Sequence, residues 1–239
     1  MSFRDKLHAL IGTDGGSTQP SVSDVGFTGG YDGADVFYER TAVLVDCSGS
    51  MSADMAGSGG AGTRLRAAKA AARAFVERKA RMFEEDGDFA GEISIVAFNG
   101  EVVGHVPLTP YDRCERSLLP FLERLDSEDG TDFEKPLLFA ERILSPKRND
   151  APEILDRLIL LTDGRARDPK EIADRLKKNG VIIDTIGIGN SDSGESAEVD
   201  GKLLREIASI LDGESRYRFI RESDDLINHF FSLAGTLSG

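Results

Sequence analysis

The chain of 239 residues has no tryptophan, only two cysteines and only three histidines. Two cysteines, Cys47 and Cys114, do not make a disulfide framework, and the scattered histidines form no zinc-type cluster. No run of about 18 apolar residues occurs, so no membrane-spanning helix is expected. Positive charge is scarce: 29 Lys and Arg stand against 42 Asp and Glu, a formal net charge of −13. Nucleic-acid binding needs a basic surface, so that class is disfavoured. The start, Met-Ser-Phe-Arg-Asp-Lys-Leu-His-Ala-Leu-Ile-Gly, has too short an apolar stretch for a secretory signal, and His8 breaks it. The cytoplasm is therefore the expected compartment.

What is present is an ordinary globular composition, 40% hydrophobic and 30% charged. Residues 12–38 are rich in Gly, Ser, Thr and Asp and read as a flexible lead. Before them Phe3, Leu7, Leu10 and Ile11 stand at helical spacing, a short helix expected to pack on the body. The expected division is an N-terminal extension, residues 1–38, and one domain, residues 39–239.

Within the domain, strand-like and helix-like segments alternate. Strands are expected at residues 38–46, 92–98, 157–162, 181–188 and 216–220. Leu158-Ile-Leu-Leu161 and Val181-Ile-Ile183 are near-continuous apolar runs, which suit strands covered on both faces. Asn99-Gly100 is a hairpin turn signal, so residues 102–108 read as an antiparallel edge strand. Helices are expected at residues 64–84, 114–125, 133–144 and 202–211, and from Ser223 onward with Leu226, Ile227, Phe230 and Phe231 buried. Another opens on Asp168 as cap, with Pro169 first and Glu171 third, and stops at Asn179-Gly180. The fold class that follows is α/β: a doubly wound, mostly parallel sheet with one antiparallel edge strand and helices on both faces. Ligands in such sheets bind beyond the carboxyl ends of the strands.

The chemistry concentrates there. The apolar run Thr41-Ala-Val-Leu-Val-Asp46 ends in Asp46-Cys47-Ser48-Gly49-Ser50, delivering a carboxylate and two hydroxyls to one turn. Gly49 is expected to permit the sharp turn, and Cys47 reads as a small core residue. Gly130-Thr131-Asp132 adds a hydroxyl, and Leu161-Thr162-Asp163-Gly164 a second carboxylate. Such an oxygen-only set suits a hard cation of the Mg²⁺ kind. Asp132 and Thr162 are candidates for supporting hydrogen bonds. Each residue also has a local alternative: Asp46 and Asp163 as turn residues, Ser48 and Ser50 bonded to nearby backbone, Thr131 or Asp132 as a helix cap.

Taken together, Asp46-x-Ser48-x-Ser50-Met51, Thr131 and Asp163 resemble the metal-ion-dependent adhesion site of von Willebrand factor A domains. The likeness runs on through Ile182-Ile183-Asp184-Thr185-Ile186-Gly187-Ile188-Gly189 and covers roughly residues 39–236. It implies a Rossmann-like sheet, with Mg²⁺ or Mn²⁺ (Ca²⁺ less readily) at Asp46, Ser48, Ser50, Thr131 and Asp163. It also implies protein binding in which a partner's Glu or Asp completes the coordination. The absence of secretory features makes the chain similar to small intracellular bacterial members. Those accompany stress-response kinases and phosphatases or pair with AAA-type ATPases.

Two departures stand out: the Gly-rich insertion at residues 52–62, and the acidic loop at residues 190–201. Both are expected on the rim of the ion site, where Asp54 or a loop acid could occupy the open position. The expected function is thus a metal-dependent protein-interaction module with no catalytic residue. One alternative is Mg²⁺-dependent phosphoryl transfer, disfavoured because Ser48 stands where an aspartyl phosphatase carries its second Asp. The other is a structural subunit with a vestigial ion site. No phosphate-binding glycine motif with its Lys is present.

Overall fold

The strand that ends in Asp46 is apolar on both sides. Ala42, Val43, Leu44 and Val45 are all fully buried, so cover is required above and below it. The computed structural model describes residues 37–55, 62–85, 89–128, 130–144, 154–164, 166, 169–193 and 198–235. The helix and flexible lead expected before residue 37 lie outside the described residues. In chain order the elements are β1 (Phe37–Asp46), a 3₁₀ turn (Gly49–Ser52), β2 (Asp54–Met55), β3 (Gly62–Thr63), α1 (Arg64–Glu85), β4 (Phe89–Phe98) and β5 (Val102–Pro110). They continue with α2 (Tyr111–Arg124), α3 (Glu134–Leu144), β6 (Ile154–Thr162), α4 (Lys170–Lys178), β7 (Ile182–Ile188) and α5 (Gly201–Ile207). The last are β8 (Ile210–Leu211), β9 (Glu214–Ser215), β10 (Tyr217–Ile220) and α6 (Ser223–Gly235).

Six strands form one sheet in the order β10-β7-β6-β1-β4-β5. The β4–β5 pairing is antiparallel and the others are parallel, which is the expected fold class. Val43 and Val45 pack with α1, α2 and α6 on one face, while Ala42 and Leu44 pack with α3, α4 and α5 on the other. The chain leaves β1 for β4 on one side and later returns to β6 on the other. The crevice between β1 and β6 is therefore the topological switch point, where such sheets bind ligands.

The opposite end of these strands is tied by buried ion pairs. Lys79 on α1 meets Glu39 on β1, both fully buried. Arg40 grips Asp156 through two bonds of 2.7 and 2.8 Å and donates to the Leu144 carbonyl. Arg157 donates to Asp184 at 2.7 Å and to the Leu233 carbonyl of α6 at 2.7 Å. Arg216 also donates to Asp184 at 2.7 Å, so each of these buried carboxylates has a cationic partner, as buried charge requires.

Three local expectations differ from the structure. α5 stops at Ile207 rather than running to 211, because the chain folds back through Asp212 (φ 52°) and Gly213 (φ 81°) to pair β8 with β9. α4 begins at Lys170, so Pro169 precedes the helix rather than opening it; the expected cap, Asp168, lies outside the described residues. The Pro169 carbonyl takes the first amides, from Ile172 and Ala173. Its other end is as expected: Gly180 adopts φ 83° and Val181 N–H returns to the Leu176 carbonyl at 3.0 Å. Finally, Phe231 is 42% exposed. It lies one position from fully buried Phe230, about 100° around the helix, and the Arg78 guanidinium covers its ring at 3.9 Å.

Phe75 and Phe230 join α1 to α6 edge to face, with ring centroids 6.3 Å apart. Phe230→Ala should cost about 3–5 kcal/mol, read as a lower midpoint in urea. His229, half-buried on α6, is held by desolvation at about 4, below its usual 6.5. The unfolded chain therefore binds a proton that the folded protein does not between these values. The contribution of His229 to stability should fall as pH drops from 6.5 towards 4, so the parent's stability relative to His229→Gln should decline across that range in paired urea unfolding.

Candidate metal centre

β1 runs beside β4 to the last pair, Asp46 opposite Phe98, and Cys47 N–H still reaches the Phe98 carbonyl at 2.6 Å. Cys47 is buried, as expected of a core residue. The chain then turns through the 3₁₀ segment Gly49–Ser52, closed by Met51 N–H to the Ser48 carbonyl at 3.0 Å and anchored by fully buried Met51. Gly49 is not among the glycines with positive φ. The turn is thus made by 3₁₀ bonds and the Met51 anchor, not by glycine's left-handed freedom.

This turn and two neighbouring loops bring all five candidate residues together. Asp46 Oδ1 accepts Ser48 N–H at 2.7 Å, and its Oδ2 accepts the Thr162 hydroxyl at 2.5 Å. The hydroxyls of Ser48 and Ser50 are 3.1 Å apart, and Ser50 donates to Asp163 Oδ1 at 2.7 Å. Thr131 arrives from the loop before α3. Gly130 takes φ 109° there, and Asp132 N–H fixes the loop to the Asn99 carbonyl at 3.1 Å. A methyl placed on Gly164 would lie 2.8 Å from Thr131 Cγ2, 3.5 Å from its Oγ1 and 3.6 Å from Asp46 Oδ2. The bare Gly164 thus leaves the gap in which Thr131 approaches the Asp46 carboxylate.

Of the two supporting candidates, Thr162 takes that role at Asp46. Asp132 instead accepts Glu134 N–H at 2.8 Å and caps α3. Asp54 is exposed on the short β2–β3 hairpin.

Sequence reasoning missed one residue. Arg64, the first residue of α1, is 6% exposed. Its Nη1 donates to Asp163 Oδ2 at 2.7 Å and its Nη2 to Glu198 Oε2 at 2.5 Å. A signal was available: a cation in the first turn sits at the positive end of the helix dipole, a placement that asks for a carboxylate partner.

Electrostatically the two carboxylates differ. Asp163 is neutralised by Arg64. Asp46, fully buried, has only hydroxyl and amide partners, and burial pushes its carboxyl up to about 6 against the help of those hydrogen bonds, with Asp163 adding to the rise. Asp46, Ser48 and Asp163 are buried, Thr131 is half-buried and Ser50 is exposed, so the cluster opens to solvent on one side. Among the described residues no three of His, Cys, Asp and Glu come together as a metal site. The donors here are two carboxylates and three hydroxyls, a set that fits a hard divalent cation keeping several waters.

The carboxylate of Asp46 is a liability without a counter-charge. Its folded value lies above the ordinary one, so stability held below about 3.8 is lost as pH rises through about 6. Asp46→Asn keeps the shape and an acceptor for Ser48 N–H. In EDTA at pH 7 it should be more stable than the parent, by about 1–3 kcal/mol, measured by urea unfolding. The difference should vanish near pH 4.

The family model for the von Willebrand factor type A domain matches residues 42–232. The collagen alpha-6(VI) chain of Mus musculus is 37% identical over 67 residues, 28% of this chain and 3% of that one. Among solved structures, a von Willebrand factor type A protein from Catenulispora acidiphila has a TM-score of 0.59 at 23% identity, covering 86% of this chain and 43% of its own. Proximal thread matrix protein 1 from the mussel byssus, with a zinc-occupied metal-ion-dependent adhesion site, has a TM-score of 0.60 at 18% identity, covering 83% and 45%. At these identities the two structures establish a shared fold. The chain spans a small part of the collagen chain and less than half of either structure.

Proposed function

Since the chain belongs to the von Willebrand factor type A domain family, we propose that it is a divalent-cation-dependent protein-binding module. The observation that carries this reading is the convergence of five oxygen-bearing side chains from three separate loops at the carboxyl ends of β1 and β6, with one side open at Ser50. Asp46, Ser48, Ser50, Thr131 and Asp163 would hold the ion. Mg²⁺ or Mn²⁺ suits a small set completed by water, whereas Ca²⁺ asks for six to eight oxygens. The bound ion would supply positive charge with a position left for an incoming carboxylate. The protein's own part is orientation. Thr162 and Ser48 N–H fix Asp46, Ser50 fixes Asp163 through Oδ1, and Gly164 leaves room for Thr131.

A partner's Glu or Asp at the ion is the recognition element in this reading. Support comes from the kind of proteins that share the domain, a collagen chain and a byssus thread matrix protein. The reading extends to a cytoplasmic role in a stress-response or ATPase-associated assembly, with an AAA-type ATPase or a kinase or phosphatase as partner. That extension rests on the sequence resemblance. No helix among the described residues is long and apolar enough to cross a membrane.

Catalysis has less behind it. Burial pushes the Cys47 and Cys114 thiols up to about 12, which leaves neither as a nucleophile at neutral pH. His105 lies on edge strand β5 against Phe139, and His229 on α6. Among the described residues, no imidazole hydrogen-bonds to Ser48 or Ser50.

The deciding experiment combines binding and capture. Mg²⁺ at 100 times its dissociation constant should stabilise the parent by about 2.7 kcal/mol relative to EDTA, and Asp46→Ala should abolish that gain. A partner captured from native lysate should be retained by the parent in Mg²⁺ and lost in EDTA and with Asp46→Ala. Partner capture indifferent to both changes would make the ion site something other than the interface. Melting indifferent to Mg²⁺ would favour the structural subunit.

A further inference from the structure

We propose that Arg64 is a positioning residue of the ion site, competing with the divalent ion for Asp163, and that Glu198 sets the strength of that competition. The inference rests on the reading that Asp46, Ser48, Ser50, Thr131 and Asp163 receive such an ion. Asp163 has two oxygens, and both are engaged: Oδ1 by the Ser50 hydroxyl and Oδ2 by Arg64 Nη1, each at 2.7 Å. While Arg64 holds Oδ2, its charge reduces the net charge of the two carboxylates to −1. A divalent ion then meets a weaker attraction and a nearby like charge.

Arg64 also has somewhere else to go. Its Nη2 is already on Glu198 Oε2 at 2.5 Å, whereas its Nε is buried without a hydrogen-bond partner. A buried N–H left unpaired is costly. Swinging towards Glu198 would allow Nε and Nη2 to form a two-pronged bond with one carboxylate, the favoured guanidinium geometry, and would release Asp163. Glu198 is prepared to receive it. Its side chain is 39% exposed, and Asn190 N–H and Nδ2 hold it at 3.0 Å each. Those bonds first, and Arg64 second, keep its carboxyl below the usual value. The same loop is pinned at Asp192, which accepts from Tyr217 at 2.9 Å and from Arg205 at 3.0 Å. Asp192 and Glu198 of the acidic loop are thus held charges. One of its carboxylates reaches the ion site through a single guanidinium, so ion occupancy and the position of Glu198 are linked, and by reciprocity each affects the other.

The test is a double-mutant cycle on Mn²⁺ affinity, measured by calorimetry, with folding checked by thermal melting in EDTA. Arg64→Gln should tighten Mn²⁺ binding by about tenfold, while melting lower than the parent in EDTA. Glu198→Gln should weaken Mn²⁺ binding by about fivefold when Arg64 is present, and by less than about twofold in the Arg64→Gln background. A plain structural role for Arg64 would lower melting without tightening the ion. Unchanged or weaker Mn²⁺ binding in Arg64→Gln overturns the inference, as does an equal Glu198→Gln effect in both backgrounds. Glu198 is a surface residue, so its variant tests the idea even if Arg64→Gln does not fold: no loss of affinity there sinks it. A parent that binds neither Mg²⁺ nor Mn²⁺ removes the metal-site reading and this inference together. A parent that binds while the cycle shows no coupling removes this inference alone.

Discussion

A carboxylate placed at the end of a strand buried on both faces, with hydroxyls and one amide for company, is the constraint around which this domain is arranged. Burying a charge is expensive unless it is paired, and Asp46 has no cationic side chain among its hydrogen-bond partners. The neighbouring groups are all spent on orienting it. Thr162 comes from the next strand over, Ser48 from the turn that follows, and Gly164 gives up its side chain to let Thr131 in. The energetic deficit at Asp46 is what a cation would relieve, so that the cost of folding the empty site becomes affinity for the filled one.

The two ends of the sheet handle buried charge in opposite ways. At the amino ends of β1 and β6, Glu39 meets Lys79, Arg40 meets Asp156, and Asp184 is shared by Arg157 and Arg216, while Arg40 and Arg157 also collect the carbonyls of Leu144 and Leu233. These bonds hold α1, α3 and α6 against the strands. At the carboxyl ends the charges are only partly balanced. Asp163 is paired, Asp46 is not, and Arg64 divides itself between Asp163 and Glu198. Rigidity at one end and unfinished electrostatics at the other is the division a doubly wound sheet makes available, because its switch point leaves a crevice between β1 and β6.

Much of this was legible in the chain. Val43 and Leu44 on adjacent positions, both apolar, mean cover on both faces. Asn99-Gly100 marks the antiparallel pairing of the six-stranded sheet, and Asn179-Gly180 ends a helix by a mechanism that does not depend on context. The five oxygen donors were legible as well, since each stands at the end of an apolar run or at a turn. What was not legible depended on neighbours distant in the chain. Phe231 and Phe230 look alike in sequence, and only the packing of α6 on Phe75 puts one in the core and the other under Arg78. Asp132 and Thr162 looked equally able to support the site. One instead caps α3 because Gly130 has already swung the loop towards Asn99.

The sequence by itself determined the six strands of the main sheet, the helix stop at Asn179-Gly180, and the residue types that meet at the carboxyl end of the sheet, because these follow from local periodicity and side-chain chemistry. Only the tertiary structure decided how those residues are charged and oriented. That Asp46 is left without a cation, that Arg64 takes Asp163, and that Glu198 shares Arg64 are all contacts between positions about a hundred residues apart or more. Such pairings arise from the crossing of loops over the switch point, and no local pattern encodes them.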